Sequence, residues 1–361
     1  MAIALSHGGP TIYESDEPSR EVLVGTLRGV TRLVKDGAGW RAVGDCLTDQ
    51  HISAILVEPE SGAIFAGAYG GGSLRVSRDG GTSWESCSNG LSESEIFSIE
   101  AVQLNGRTRI YVGTEPARLF FSDDLGRSWS ELVNLRSVPT VENWSFPAPP
   151  HVAHAKQIAF HPSRPSTMYV SIEVGGLLRS DDHGQTWQDV PGMYEDVHRL
   201  VINPADPRRM FVSGGNGIYV SEDEGATWMH ATTREHELGG YPDQLVYQPG
   251  NPDTMFVASA QHGPGAWRET HFAGARISRS RDGGRTWEIL RAGLPDRMQG
   301  NIEAMCLEES DAGCAIFAAT TAGEVFASED GGESWQAIVT GLAPISKGGH
   351  YRNLMAATAT P

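Results

Sequence analysis

Apolar runs of roughly five to eight residues recur along the chain, each stopped by Gly, Pro, Asn or Asp. They are too short for core helices and are spaced like strands joined by tight turns. One unit shows the pattern in full: VHRLVINP, then ADPRR, then MFVSGGN, then GIYVSEDEGATWMHA, residues 197–231. The first two apolar runs are joined by a Pro-rich turn, which recurs as HPSRPST (161–167), NPADPRR (203–209) and QPGNPDT (248–254). The last two runs flank an octet, SEDEGATW.

That octet has five relatives: SRDGGTSW (77–84), SDDLGRSW (122–129), SDDHGQTW (180–187), SRDGGRTW (280–287) and SEDGGESW (328–335). The shared form is S-x-D-x-G-x-[ST]-W. The closing tryptophans are 45, 58, 41, 59 and 48 residues apart, a period of about forty with insertions. The Asp suits a turn in which its carboxylate accepts backbone N–H groups. The Gly suits a backbone conformation that other residues avoid. The Trp supplies a large apolar body between neighbouring sheets. Each octet therefore reads as a folding device at the last hairpin of a four-stranded unit.

Six such units fall at about 51–88, 95–132, 154–191, 196–231, 241–290 and 300–338. Residues 21–44 supply the second, third and fourth strands of a seventh, with KDGAGW as a degenerate octet. GGHYRNLMAATAT (348–360) reads as its first strand. The octets resemble the Asp-box, or BNR, repeats of sialidase-like and related β-propellers. The resemblance implies an all-β, seven-bladed β-propeller over 1–361, a single domain. Its seventh blade would close by the C-terminal strand joining N-terminal strands, which removes exposed edges. Fold resemblance of this kind says little about chemistry.

The chain holds 28 basic and 45 acidic residues, a formal charge of −17, which argues against nucleic acid as a partner. No apolar run reaches the ~20 residues of a membrane span, and the N-terminus lacks the basic and apolar regions of a signal peptide. A cytoplasmic protein is expected, with Cys46, Cys87, Cys306 and Cys314 as reduced thiols, although Cys306 and Cys314 could face each other across one hairpin.

The propeller resemblance implies that the first strand of each blade lines a central channel. Aligned on their apolar pattern, those strands lead with Ser53, Ser98, Lys156, His198, Asp243, Glu303 and Arg352. Two residues upstream, nearer the mouth, stand His51, Ile96, His154, Asp196, Tyr241, Asn301 and His350. The second strands end at Arg28, Tyr69, Glu115, Glu173 and His262. Three long segments, 131–153, 230–242 and 260–275, should reach the same face.

Two chemistries follow. His51, His154, His198 and His350 with Asp196 could converge on a divalent transition metal, zinc, iron, manganese or copper. Alternatively, Glu173, Asp243, Glu303 and Tyr241 could work as a metal-free acid–base set. Arg28, Lys156, Arg352, Trp144 and Asn301 would then bind the substrate. The leading expectation is a metal-dependent hydrolase or lyase acting on a small polar or anionic molecule. A non-catalytic propeller that binds a ligand or protein is the alternative. A sialidase is disfavoured, because the Arg-Ile-Pro motif and a three-arginine clamp are missing. A solvated polar channel would produce the same residue pattern, and the sequence leaves oligomeric state open.

Overall fold

In the computed structural model, which describes residues 2–37 and 39–346, the chain is a seven-bladed β-propeller. Each of the six octet-bearing units forms an antiparallel sheet in chain order, the first being His51–Val57, Ile64–Tyr69, Leu74–Ser77 and Glu85–Ser86. Its inner strand is the most apolar and the most buried, and its outer strand is short and exposed.

The octets do what their residues dictate. In the first, Ser77 Oγ donates to Asp79 Oδ1 (2.8 Å) and accepts from Gly81 N (2.7 Å). Asp79 in turn accepts from Ser83 N (2.9 Å) and Ser83 Oγ (2.6 Å). These Ser83 bonds hold the Asp79 carboxyl down to about 2. Gly81 has φ +89°, a conformation that residues with a Cβ rarely adopt. Trp129, closing the second octet, joins neighbouring blades: it packs with Phe65, Leu74 and Val76 of the first blade, and its Nε1 donates to Cys87 O (2.7 Å). Full burial of each such apolar side chain contributes about 1.5–3 kcal/mol. The sheets therefore stack through shared apolar layers.

The seventh sheet contains β1 (Ile3–Leu5), and the chain passes through β2 (Ile12–Ser15) before supplying β3 (Glu21–Thr26), β4 (Gly29–Asp36) and β5 (Gly39–Cys46). The three expected strands within 21–44 are thus present. The expected closing strand, 348–360, lies outside the described residues, and the innermost place is taken by β1, parallel to β3. Strand β2 adds to the sixth sheet, parallel to Ile302–Ser310. Glu308 secures it there, accepting from Ser15 Oγ (3.0 Å) and Ser19 N (3.0 Å).

Between β1 and β2 the segment Ser6–Pro10 enters the channel. Gly8 N donates to Ser53 O (3.0 Å) and Gly8 O accepts from Ile99 N (2.9 Å). His7 Nδ1 lies 2.8 Å from Glu303 O, and since a carbonyl only accepts, that nitrogen donates. Arg199 donates to His7 O. The small Ser53 and Ser98, with no Cβ on Gly8 or Gly9, leave room for this plug. The cysteines are free thiols, and Cys306 and Cys314 do not face each other: Cys306 opposes Phe317 and Cys314 opposes Glu309.

Candidate functional site

The inner strands share one irregularity. Their register slips at Ile52/Ala54, Ile96/Ser98, Ala155/Gln157, Val197/Arg199, Pro242/Gln244 and Ile302/Ala304. The extra residue of each β-bulge is Ser53, Phe97, Lys156, His198, Asp243 or Glu303. A bulge re-aims a side chain without breaking the strand, and here the same device recurs around the axis. Five of the six residues match the leading ring read from sequence. In the second blade Phe97 replaces Ser98, and Ile96 lies in the apolar core between blades.

These residues gather into one buried network. His154 Nε2 is 2.7 Å from Glu173 Oε2 and its Nδ1 is 3.3 Å from Glu115 Oε2. The ring thus stands between two carboxylates. Phe97 stacks on that ring at 3.6 Å between centroids. Lys156 Nζ lies between Glu173 Oε2 (3.2 Å) and Asp243 Oδ1 (3.3 Å) while the lysine is 2 % exposed. A cation that deep persists only with such partners. Asn301 Nδ2 donates to Asp243 Oδ2 (3.3 Å) and Ser346 Oγ to Glu303 Oε2 (2.9 Å).

Asp196, His198 and Tyr241 form the other flank. His198 Nδ1 donates to Pro242 O (2.8 Å), and its Nε2 lies 3.2 Å from Asp196 Oδ1. Burial is the largest influence on the Asp196 carboxyl and raises it, but the charge of a protonated His198, its hydrogen bond and the charge of Lys156 together lower it. The Tyr241 hydroxyl is pushed well above its usual value by burial and then by Asp196, Glu173, Asp243 and Glu303. It stays protonated and can donate, which removes it as a phenolate nucleophile.

A cavity of about 490 Å³ opens above this flank, with Glu173, Asp196 and Tyr241 in its wall. Phe146 and the stretch Gln261–Ala266 form its sides, and Arg234, His262 and Arg268 also border it. The stretch is held by α1 (Pro264–Thr270), whose Trp267 is buried against Tyr241 at 5.9 Å between centroids. The segments expected at this face thus contribute Phe146, Arg234 and the 261–268 wall.

Other predicted residues stand elsewhere. His51 Nε2 lies 2.8 Å from Ser346 O and its ring packs on Tyr69. It does not join His198, and neither does His154, so the expected histidine cluster does not assemble among the described residues. The group whose ligand atoms come together, within 4.8 Å of one another, is Glu173, Asp196 and His198. Arg28 is exposed and does not line the cavity, and Trp144 packs on the loop-side core of the third blade. Arg118 is paired with Glu93 and Glu131 and does not line the cavity. His350 and Arg352 lie outside the described residues.

Fold and site together define a seven-bladed propeller with a pocket at one face, bordered by Glu173, Asp196 and Tyr241. In fold and in its octets the chain is similar to the BNR-type, Asp-box β-propellers. The family model for sortilin (neurotensin receptor 3) matches residues 175–296. A xyloglucanase of Paenibacillus sp. is 30 % identical over 37 % of this chain and 16 % of its own length. The photosystem II assembly lipoprotein Ycf48 of Synechococcus sp. is 23 % identical over 73 % of this chain and 68 % of its own. Among solved structures, an ancestral GH74 enzyme superposes with a TM-score of 0.61 at 14 % identity, covering 81 % of this chain and 39 % of that one. The chain thus spans a small part of the xyloglucanases it matches. These matches overturn the expectation of a metal-dependent hydrolase or lyase: the matched enzymes are glycosidases, and the other relative is named for assembly.

Proposed function

We propose that the axial cavity recognises a small, hydroxyl-rich molecule of the carbohydrate class. The observation that carries this is the pairing of two carboxylates, Glu173 and Asp196, with aromatic walls from Tyr241 and Phe146 in one cavity of about 490 Å³. Carboxylates accept hydroxyl hydrogens, the Tyr241 hydroxyl supplies a donor, and aromatic faces cover the C–H side of a sugar ring. The volume falls within the ~300–1,000 Å³ of small-molecule sites. The names of the xyloglucanase relatives support the same ligand class.

The test is calorimetric titration of the full chain with a panel of neutral mono- and disaccharides. At least one should bind, and Asp196→Asn should weaken it at least tenfold, since a charge-assisted hydrogen bond contributes about 1.5–3 kcal/mol. Equal affinity in Asp196→Asn, or no binding across the panel, would refute this reading.

A second reading, glycoside hydrolysis, is favoured by the carboxylate separation. Glu173 and Asp196 offer oxygens within 4.8 Å of one another. That limit is short of the ~6.5–9.5 Å that leaves room for water in inverting glycosidases. Release of nitrophenol from aryl glycosides, abolished in Glu173→Gln, distinguishes turnover from binding.

A further inference from the structure

We infer that Glu173, Asp196 and His198 form a binding site for one divalent transition-metal cation, open toward the axial cavity. This is a binding site, and no bond-breaking step is assigned to the ion. It stands on the side chains alone and does not depend on which molecule the cavity takes.

The argument begins with His198, which has no exposed surface. Its Nδ1 donates to the carbonyl of Pro242 at 2.8 Å, and that fixes the proton of the neutral ring on Nδ1. Nε2 is then a lone pair, and it is aimed at Asp196 Oδ1, 3.2 Å away. Two acceptors facing each other at that distance repel unless something positive lies between them. The contact is an ion pair if the ring carries a second proton; with its single proton on Nδ1, neither His198 Nε2 nor Asp196 Oδ1 meets a hydrogen-bond donor among the described residues. Glu173 completes the set, its ligand oxygen within 4.8 Å of both other ligand atoms.

The alternative occupant is a proton, which would make His198 an imidazolium. Three features favour a cation. A histidine that ligates a metal commonly donates its other nitrogen to a carbonyl, as His198 does. The donor set is one imidazole nitrogen and two carboxylate oxygens, the composition of three-ligand sites that hold zinc and its neighbours. Two negative ligands also match a divalent charge. The bulge at His198 is the backbone device that turns this ring toward Asp196. Asp196 and Glu173 border the cavity, so the remaining coordination positions face the incoming molecule, where a sugar's vicinal hydroxyls could occupy them.

The experiment is titration of the chelator-treated full chain with Zn²⁺ against a chromogenic competitor, with metal content measured after desalting. The expected result is one equivalent bound, weakened at least tenfold in His198→Gln and in Asp196→Asn. Asp206→Asn, a half-buried carboxylate of a surface turn paired with Arg208 at 2.8 Å, should leave binding unchanged. Thermal melts separate misfolding from ligand loss: Zn²⁺ should raise the melting temperature of the parent protein and of Asp206→Asn but not of His198→Gln. The inference is overturned if no stoichiometric zinc is retained, or if folded His198→Gln binds as tightly as the parent. In either case a proton spans the gap. Sugar binding that persists without zinc overturns only the ligand-facing role, and zinc binding without any sugar affinity overturns only the carbohydrate reading.

Discussion

Replacing Gly8 with alanine places a methyl group where the backbone of the second blade already stands. Its Cβ would collide with the carbonyl oxygen of Phe97 and lie 2.9 Å from the carbonyl carbon and 3.0 Å from Ser98 Cα. All three are atoms of a buried inner strand, which cannot yield as a flexible side chain would. The segment Ser6–Pro10 must therefore leave its place. Five hydrogen bonds go with it: Gly8 N to Ser53 O, Ile99 N to Gly8 O, Ile55 N to Ser6 Oγ, Arg199 to His7 O, and His7 Nδ1 to Glu303 O. At about 1 kcal/mol net for each, the loss is about 5 kcal/mol, a large part of the ~5–15 kcal/mol that keeps a domain folded. With an unfolding entropy of ~2.1 cal/mol/K per residue, a chain of 361 residues loses ~0.76 kcal/mol per degree near its midpoint. Calorimetry should then show Gly8→Ala melting about 6–7 °C below the parent. Limited proteolysis should cut it first near residue 10. A melting temperature within about 1 °C of the parent, with the N-terminus still protected, would refute the plug as a structural member.

Glu100 gives a pH dependence of opposite sign to the octet aspartates. Burial raises its carboxyl to about 7 from an ordinary 4.5, offset only in part by Ala101 N and Arg199. Between those values the unfolded chain has released the proton and the folded chain retains it, so stability falls as pH rises from about 4.5 to 7. The decline is up to about 3 kcal/mol; Glu100→Gln should flatten it in urea titrations at pH 5 and 8, and an unchanged slope would count against the assignment. Ser122→Ala removes the donor to Asp124 Oδ1 (2.8 Å) and the acceptor for Gly126 N (2.9 Å) in one octet. It should cost about 1–2 kcal/mol in denaturant melts, and a neutral effect would show that the octet's serine is dispensable.

The fold was legible because each octet encodes a complete local structure. Asp79, Gly81 and Trp84 report the turn, its backbone conformation and the start of the last strand without reference to the rest of the chain. The channel ring was legible to within one residue, because an apolar inner strand makes a lone Lys156, Asp243 or Glu303 conspicuous. What the pattern could not show was the bulge, which exists only relative to a partner strand. A one-residue difference in where it falls exchanges Ser98 for Phe97. The plug was hidden for a related reason. SHGGP carries no strand signal, and its glycines acquire meaning only from the backbones of Phe97 and Ile55 that they approach. The cavity walls were half legible: long insertions marked 131–153 and 260–275 as candidates, but which aromatic faces inward is decided by packing. There Phe146 faces the cavity, while Trp144 and Trp267 turn into apolar clusters.

Glu173 and Asp196 cannot serve both roles that their spacing allows. A retaining glycosidase needs one carboxyl to deliver a proton and the other to attack the sugar. A cation shared by the two, with His198, would hold both ionised and direct both at the ion. The flank's surroundings bear on which role prevails. Glu173 already meets His154 at 2.7 Å and Lys156 at 3.2 Å, so its oxygen is engaged by basic side chains. Asp196 is drawn down by His198. Neither carboxyl is placed in the apolar setting that raises a catalytic acid toward neutral pH. The proton donor that remains at this flank is the Tyr241 hydroxyl, held protonated by burial and then by the surrounding carboxylates. Two ionised carboxylates with one neutral donor are equipped to hold a polyol, directly or through a cation. The zinc titration decides between those two modes, and the persistence of aryl glycoside turnover at saturating zinc would restore the carboxylates to catalysis.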